Sequence, residues 1–532
     1  MGVPALFSLI VRKYGGVIKS LNTDETSSSQ FHNLYLDSNS IVYDCVHRLG
    51  EKINDEELIK AVCLQIHHYI NQIKPTECVY VAFDGVAPVA KLENQRNRRY
   101  KTEFTNKILA KAGIVKNSWD TTAITPGSPF MTKLDKGLKS YFGKKPSKFG
   151  VKEMIISTSV DAGEGEHKIF EYIRNNTEKH AEEKTVVYGL DADLIMLSIN
   201  HLRFCPQIYL YRETPHFIRS LNKGLNPGQL YTLDIAELFA RLSQEMNSGN
   251  KPRNDTEQNR AFDYIFMVSL LGNDYIPHNP AFNIRTKGMS YIMNTYKHVI
   301  VSKGRNLTNG DKIDWKSFRM FIEALASNEE EALKEEHKSR DILEKKQLMI
   351  REDGDPEVIQ QMNAIPVYNR VKEHYINPDE PMWEERYYRT LFDMERTEVS
   401  KVCLAYLEAL EWTHKYYTSG CVDWRWYYPY DYAPLFKDLT SVIPVFDVTL
   451  VDEKPMNPVL PLTQLSYVLP ISAHHMLPPK LKLALYEKMS SNYSENWEFE
   501  WSYCRYFWEC HAKMTPFDID ELEKLASICK HK

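Results

Sequence analysis

Seven carboxylates in this chain stand where apolar segments end. Asp37 closes the apolar run in NLYLDSNSIVYD, and Asp84 follows CVYVAF and precedes Gly85. Glu164 and Glu166 lie in DAGEGEHKI, a glycine-rich turn that opens a helical pattern. Asp191 and Asp193 follow TVVYGL in GLDADLIML, and Asp274 follows a further apolar run in LLGNDYIPH. An α/β sheet places its ligand crevice at such strand ends. Carboxylates gathered there repel and raise one another's pKa unless something neutralises them. Oxygen-only ligands suit a hard divalent cation, Mg²⁺ or Mn²⁺. Asp-x-Asp at a strand end and Glu-x-Glu at a helix start each hold two carboxylates close. Two ions about 4 Å apart could then activate a water and stabilise the leaving oxygen of a phosphodiester. Any one of these acids could instead be a helix cap or a surface turn. Five acid-bearing segments within one α/β unit point to metal-dependent phosphoryl chemistry.

The elements that must position these acids read as alternating strand and helix over the first 300 residues. Short β-branched or aromatic runs predict strands at Leu34–Tyr43, Cys78–Phe83, Met154–Thr158, Thr185–Leu190 and Gln207–Tyr211. Helical spacing separates most of them, as in Asp55–Ile73 and Gly165–Arg174. Strands buried on both faces with crossover helices imply a mainly parallel sheet. A charged, mostly helical connection follows at 301–364, and an aromatic-rich second segment fills 365–532. There, Trp412, Trp424, Trp426 and many tyrosines cluster, with a proline-rich loop at Lys454–Pro461.

The chain has 532 residues, of which 43% are hydrophobic and 26% charged, so a mainly disordered protein is excluded. No apolar run approaches the ~18 residues of a membrane span. The N-terminus has no basic region followed by a cleavage site, and Leu6 stands where myristoylation after Gly2 needs Ser or Thr. Nine cysteines without a CxxC pair argue against a disulfide framework and a structural zinc, and fit a reducing compartment. The net charge of −5 hides local fields. Lys91–Lys116 holds eight Lys or Arg against two Glu, and Lys133–Lys152 seven Lys against one Asp. Acid is concentrated at Glu329, Glu330, Glu331, Glu335 and Glu336. Each charge run taken alone reads as a solvated helix face.

Read together, MGVPALF, LYLDSNSIVYDCVH, FDGVAPVAKLENQRNRRY, ITPGSPFM, GEGEHKIFEYIR, YGLDADLIML, LLGNDYIPHNPAFNIR and WRWYYPYDYAP resemble the catalytic core of the XRN family of 5′→3′ exoribonucleases. The resemblance runs from residue 1 to about 435 and continues more weakly to ENWEFEWSYCRYFWECHAKMTPFDIDEL. It implies a PIN-like nuclease domain over 1–300, with the segment 365–532 completing the active-site channel. Family members commonly carry long C-terminal extensions, so a compact member of the kind found in large DNA viruses is expected. The resemblance also implies that Asp37, Asp84, Glu164, Glu166, Asp191, Asp193 and Asp274 hold two Mg²⁺ or Mn²⁺ ions. It implies further that Lys91, Gln95, Arg98 and Arg99 bind the 5′-monophosphate of single-stranded RNA. The spacing agrees, since i, i+4, i+7 and i+8 share one helix face and Arg offers phosphate a bidentate fork. The family carries a base-stacking His six residues after the first Asp, and here that position is Tyr43. Tyr43 can stack equally well or be a buried strand aromatic. Its partner is expected among Trp412, Trp424 and Trp426. His167, beside Glu166, reads as structural or as support for the ligands.

Two rival readings remain at this stage. A flap-endonuclease-like DNA nuclease shares the acidic motifs, but its usual glycine-paired hairpin is missing from YIPHNPAFNIRTKG after Asp274. A catalytically inactive RNA-binding protein would not need all seven carboxylates. The expected protein is a monomeric, non-membrane 5′→3′ exoribonuclease acting on decapped RNA, coupled in function to a decapping enzyme. Its expected place is the cytoplasm or a virus factory, with the nucleus also open.

Overall fold

The computed structural model describes residues 6–21, 31–50, 53–114, 119–143, 146–212, 223–227, 229–352, 354–493, 495 and 497–528. Gly2, the Ser27–Ser29 loop, and Lys116, Lys144 and Lys145 of the basic runs lie outside these residues.

The described residues hold a seven-stranded sheet made of β1 (Ile18–Ser20), β2 (Asn33–Asp37), β3 (Cys78–Ala82), β4 (Glu153–Ser157), β5 (Thr185–Tyr188), β6 (Ile208–Arg212) and β7 (Tyr231–Asp234). Their order is β1-β7-β6-β5-β2-β3-β4. The five strands β2 to β6 are parallel, as expected. An antiparallel edge, β7 on β6 and β1 on β7, adds two strands that sequence reasoning did not find. The chain leaves β2 for β3 and β4 on one side, then returns to β5 and β6 on the other. The switch point therefore lies at β2 and β5, where a doubly wound sheet opens its crevice.

Helices α1 (Leu6–Lys13), α2 (Asn39–Leu49), α3 (Asp55–Ile73), α4 (Val89–Lys111), α5 (Pro129–Phe142), α6 (Gly165–Asn175), α7 (Thr177–His180) and α8 (Asp193–Asn200) surround this sheet. Leu34, Leu36, Val79, Val81 and Val186 face α3 through Leu58, Val62, Ile66 and Ile70. Tyr35, Tyr80, Ala82 and Val187 face the other way, toward Ile169, Phe170 and Ile173 of α6. This alternation covers both faces, which is why the inner residues of the five parallel strands are apolar or aromatic. The expected strand Leu34–Tyr43 is half right. β2 stops at Asp37, and Tyr43 lies on α2 instead. The spacing of Ile41, Val42, Cys45 and Val46 is helical, and all four are buried on one side of α2.

The second half extends the same interior. Trp315 and Phe318 of the connection, and Tyr387, Tyr406 and Trp412 beyond it, share one continuous core with α6 and α8. The acidic run is also not a uniformly solvated face. Glu329 is buried and accepts from the backbone N–H groups of Phe436 and Lys437 at 2.6 and 3.0 Å. Burial pushes its carboxyl up to about 7. The last segment returns to the N-terminal part of α4, where Leu465, Val468 and Leu522 pack on Val86, Val89 and Leu92. Arg96 is fully buried there, donating to the carbonyls of Thr515 and Asn492 at 3.0 and 2.7 Å. Among the described residues, no helix is long and apolar enough to cross a membrane.

Candidate active site

Each acid is placed by the end of an element. Asp37 ends β2, and Asp84 lies two residues past β3. Glu164 caps α6, and Glu166 stands in its first turn. Asp191 lies between β5 and α8, and Asp193 begins α8. Asp274 follows the Asp255–Ser269 helix. Close approach of these elements depends on Gly165. Its N–H donates to Asp84 Oδ1 at 2.7 Å, and a Cβ there would sit 2.6 Å from Asp37 Oδ1. Asn39 holds the other oxygen of Asp84 at 2.5 Å.

Among the described residues, Lys91 is the cation that pairs directly with two of the seven acids. The Lys91 ammonium lies 2.8 Å from Glu164 Oε2 and 2.7 Å from Asp274 Oδ2. Asn94 adds a bond to Asp274 Oδ1 at 3.1 Å. The hydroxyls of Tyr275 and Tyr416 both donate to Glu164 Oε1 at 2.8 Å. Burial alone would raise Glu164 and Asp274, yet Lys91 overrides it and both carboxyls fall below their usual range. Four more go the opposite way. Burial and then Asp84 push Asp37 well up, and burial and then Asp193 do the same to Glu166. Burial and Glu164 raise Asp84. Asp193 is pushed up to about 7 by burial and Asp274. Lys91 therefore neutralises part of the cluster and leaves an excess of buried negative charge. An all-oxygen donor set with such an excess fits hard divalent cations.

Among the described residues, only Asp341, Glu344 and His374 bring three candidate ligand atoms within 4.8 Å of one another. That group already has its cation, because Arg370 pairs with Asp341 at 2.6 Å and Glu344 at 3.0 Å. It is an ion-pair knot between the Glu329–Glu344 and Val371–Ile376 helices.

An acid with an elevated folded-state pKa is harmless while protonated and destabilising once ionised. The metal-free protein should thus lose stability as pH rises from the ordinary carboxyl range toward about 7. Melting temperature in chelator should fall between about pH 5 and about pH 8, and excess Mg²⁺ at the upper pH should restore it. Identical falls with and without the cation would contradict this.

The expected phosphate ligands divide. Gln95, Arg98 and Arg99 lie along α4, whereas Lys91 points into the carboxylates. Helix spacing had grouped all four, but Lys91 sits in the first turn beside the Asp84 loop, where the uncompensated acids draw its ammonium. Arg99 donates to Thr125 Oγ1 at 2.6 Å and to the Ile124 carbonyl at 3.4 Å. Its Nε is buried without a partner. Burial and the neighbouring Arg98 lower Arg99 to about 10, and among the described residues neither guanidinium forms an ion pair. Gln95 accepts from Gln464 at 3.1 Å.

The candidate stacking residues separate further. Tyr43, half-buried on α2, is close enough to Arg99 to interact with its charge. Trp424 accepts at its carbonyl from Val89 N–H at 3.0 Å, and its ring lies 4.0 Å from where Gly163 would carry a Cβ. Trp412 is fully buried, and its indole N–H donates to the Asp423 carbonyl at 2.9 Å. No base can reach it, which corrects its candidacy for stacking. It forms instead the middle of a ring column, with Trp426 at 5.3 Å on one side and Tyr416 at 4.7 Å on the other. His167 continues this column at 3.6 Å from Tyr416. Burial drives the His167 imidazole down to about 3, so it is neutral. The column braces the Tyr416 hydroxyl on Glu164, and half-buried Trp426 is engaged by it on one face. Trp412→Ala should cost about 3–5 kcal/mol of stability, read as a lower melting temperature. A variant that melts normally but binds RNA poorly would contradict the core assignment.

Sequence reasoning missed Asn39, Asn94, Tyr275, Tyr416 and Gln464. The first three adjoin recognised motifs, so proximity to Asp37, Lys91 and Asp274 was a usable signal. Tyr416 and Gln464 lie far from them in the chain and carry none.

The family described as the XRN 5′-3′ exonuclease N-terminus matches residues 1–214, which hold β1 to β6 and six of the seven acids. The Xrn1 helical domain matches residues 255–382 and 373–531. The 5′-3′ exoribonuclease 2 of Gallus gallus is 26% identical over 99% of this chain and 70% of its own length. The Drosophila melanogaster 5′-3′ exoribonuclease 2 homolog is 28% identical over 91% of this chain and 66% of its own. The 5′-3′ exoribonuclease 1 of Saccharomyces cerevisiae is 26% identical over 92% of this chain but only 40% of its own length. The flap-endonuclease-like alternative gives way to these matches. One family accounts for the sheet and for the helical half packed on it, and the chain belongs to the XRN family of 5′-3′ exoribonucleases.

Proposed function

We propose that this chain degrades single-stranded RNA bearing a 5′-monophosphate, one nucleoside 5′-monophosphate at a time. The observation that carries this reading is the charge layout along α4. Its first turn delivers Lys91 to an acid-rich site, and two turns later Arg98 and Arg99 present cations that form no ion pair among the described residues. A terminal phosphate held by Gln95, Arg98 and Arg99 places the following phosphodiester toward the strand ends.

Asp37, Asp84, Glu164, Glu166, Asp191, Asp193 and Asp274 would hold Mg²⁺ or Mn²⁺, two ions in all. Bound there, the cations supply water activation and charge stabilisation at the leaving oxygen. Lys91 balances Glu164 and Asp274, and Tyr275 and Tyr416 keep Glu164 oriented. Half-buried Tyr43 would offer a ring face to the first base, with the largely buried Trp424 beside Gly163 as its candidate partner. A cap or triphosphate would be excluded from this pocket by its size and charge. The substrate would therefore come from a reaction that removes the cap and leaves a monophosphate, placing a monomeric enzyme with decapping in the cytoplasm. Residues 1–300 would form the nuclease domain, 301–364 the connection and 365–532 the segment that completes the channel.

The test compares one RNA with a 5′-monophosphate, a 5′-triphosphate and a cap, each with Mg²⁺ or chelator. Mononucleotides from the monophosphate form alone, and only with Mg²⁺, are expected. Equal decay of the three would remove the pocket. No decay of any would favour an RNA-binding protein without activity.

A further inference from the structure

We propose that Gln464 is a positioning residue that sets which end of the Gln95 amide faces the RNA terminal phosphate. This deepens the 5′-monophosphate reading and rests on it. A phosphate only accepts hydrogen bonds, whereas a glutamine amide has a donor end and an acceptor end. Gln95 therefore serves an anion only if its Nε2 is turned toward it, and nothing in an isolated side chain enforces that choice.

The polarity is imposed from the far end of the chain. The backbone N–H of Ala87 can only donate, and it takes Gln464 Oε1 at 2.9 Å. Gln464 must then present its Nε2 on its other side, and it donates to Gln95 Oε1 at 3.1 Å. With its acceptor engaged, Gln95 is left with Nε2, which makes no hydrogen bond among the described residues. Each step is one-way, so the order donor, acceptor, donor, acceptor is fixed by the single backbone group. The support is rigid. Gln464 is fully buried, on a helix whose Leu465 and Val468 pack against Val86 and Leu92. Ala87 belongs to the loop that joins Asp84 to α4, so the relay starts from the loop carrying a candidate metal ligand.

The experiment measures kcat/KM for 5′-monophosphate and 5′-hydroxyl forms of one RNA, with a melting curve for every variant. Gln95→Met should lower the phosphate-to-hydroxyl ratio roughly tenfold, by loss of a hydrogen bond to a charged group. Gln464→Met leaves Gln95 free to rotate and should lower the ratio about threefold through the cost of ordering that side chain. Gln464→Glu, assayed at about pH 9 where even a buried carboxyl ionises, offers Gln95 only acceptors. It should capture Nε2, turn Oε1 toward the phosphate and lower the ratio roughly tenfold or more. If the glutamate variant does not fold, the methionine variant carries the test. In a Gln95→Met background neither substitution should lower the ratio further. A ratio lowered by Gln95→Met but untouched at position 464, or lowered at 464 equally in both backgrounds, would overturn the relay alone. A wild-type ratio near one, or one unchanged by Gln95→Met, would remove the phosphate pocket and the relay with it.

Discussion

Asp193→Ala is expected to reduce RNA turnover at least a hundredfold, the scale on which a preorganised charge at a reacting centre is lost. Asp191→Ala is expected to do the same. The two should part company in stability. Asp193 begins α8 with Oδ1 buried and, among the described residues, unpartnered, and burial together with Asp274 pushes its carboxyl up to about 7. An ionised acid held there destabilises the fold unless a cation offsets it. Removing it should raise the melting temperature of the chelated protein near neutral pH, even as activity disappears. Asp191 is exposed at the rim of the site, so its removal should leave melting nearly unchanged. Activity assays beside melting curves in chelator read both effects. Retention of more than about a tenth of the wild-type rate by both variants would remove the metal-site assignment. A lower melting temperature for Asp193→Ala in chelator would show that the acid is stabilising on its own.

Arg99→Ala should slow decay of 5′-monophosphate RNA by roughly ten- to a hundredfold, since a hydrogen bond to a charged group contributes about 1.5–3 kcal/mol. The ratio to 5′-hydroxyl RNA decides what was lost. A terminal-phosphate ligand should cost the phosphorylated RNA far more than the hydroxyl form. A general groove residue touches phosphates along the strand, and would slow both by the same factor. The Thr125 contact complicates the raw rate, because Arg99 also ties α4 to the Thr121–Pro129 turn at 2.6 Å. A melting shift from that lost contact acts on both RNAs alike, so the ratio stays informative.

Local pattern carried much of this. Four of the five parallel strands, the first half of the fifth and the Asp55–Ile73 helix lie where their apolar spacing placed them, because the burial pattern is written into neighbouring residues. Helix α3 even advertises its start, with Asn54 and Glu57 exchanging bonds at 2.9 and 3.3 Å. The error at Tyr43 is also local. An apolar run after Asp37 reads as strand until the buried set 41, 42, 45 and 46 is seen as helical. The two edge strands were missed because they are three and four residues long and half exposed.

The acids at strand ends were determined by sequence alone, since a charged residue closing an apolar strand has few places to go but the crevice. Which group neutralises which acid was decided only by the tertiary structure. Lys91 reaches Asp274 across 183 residues and Tyr416 reaches Glu164 across 252. Trp412 became core rather than a stacking face because Trp426 and Tyr416 cover both its sides. Hydrogen bonds and ring contacts between distant segments impose no spacing on either segment, so nothing in the linear order records them. They exist because the helical half closes over the sheet and buries charge that must then find partners there.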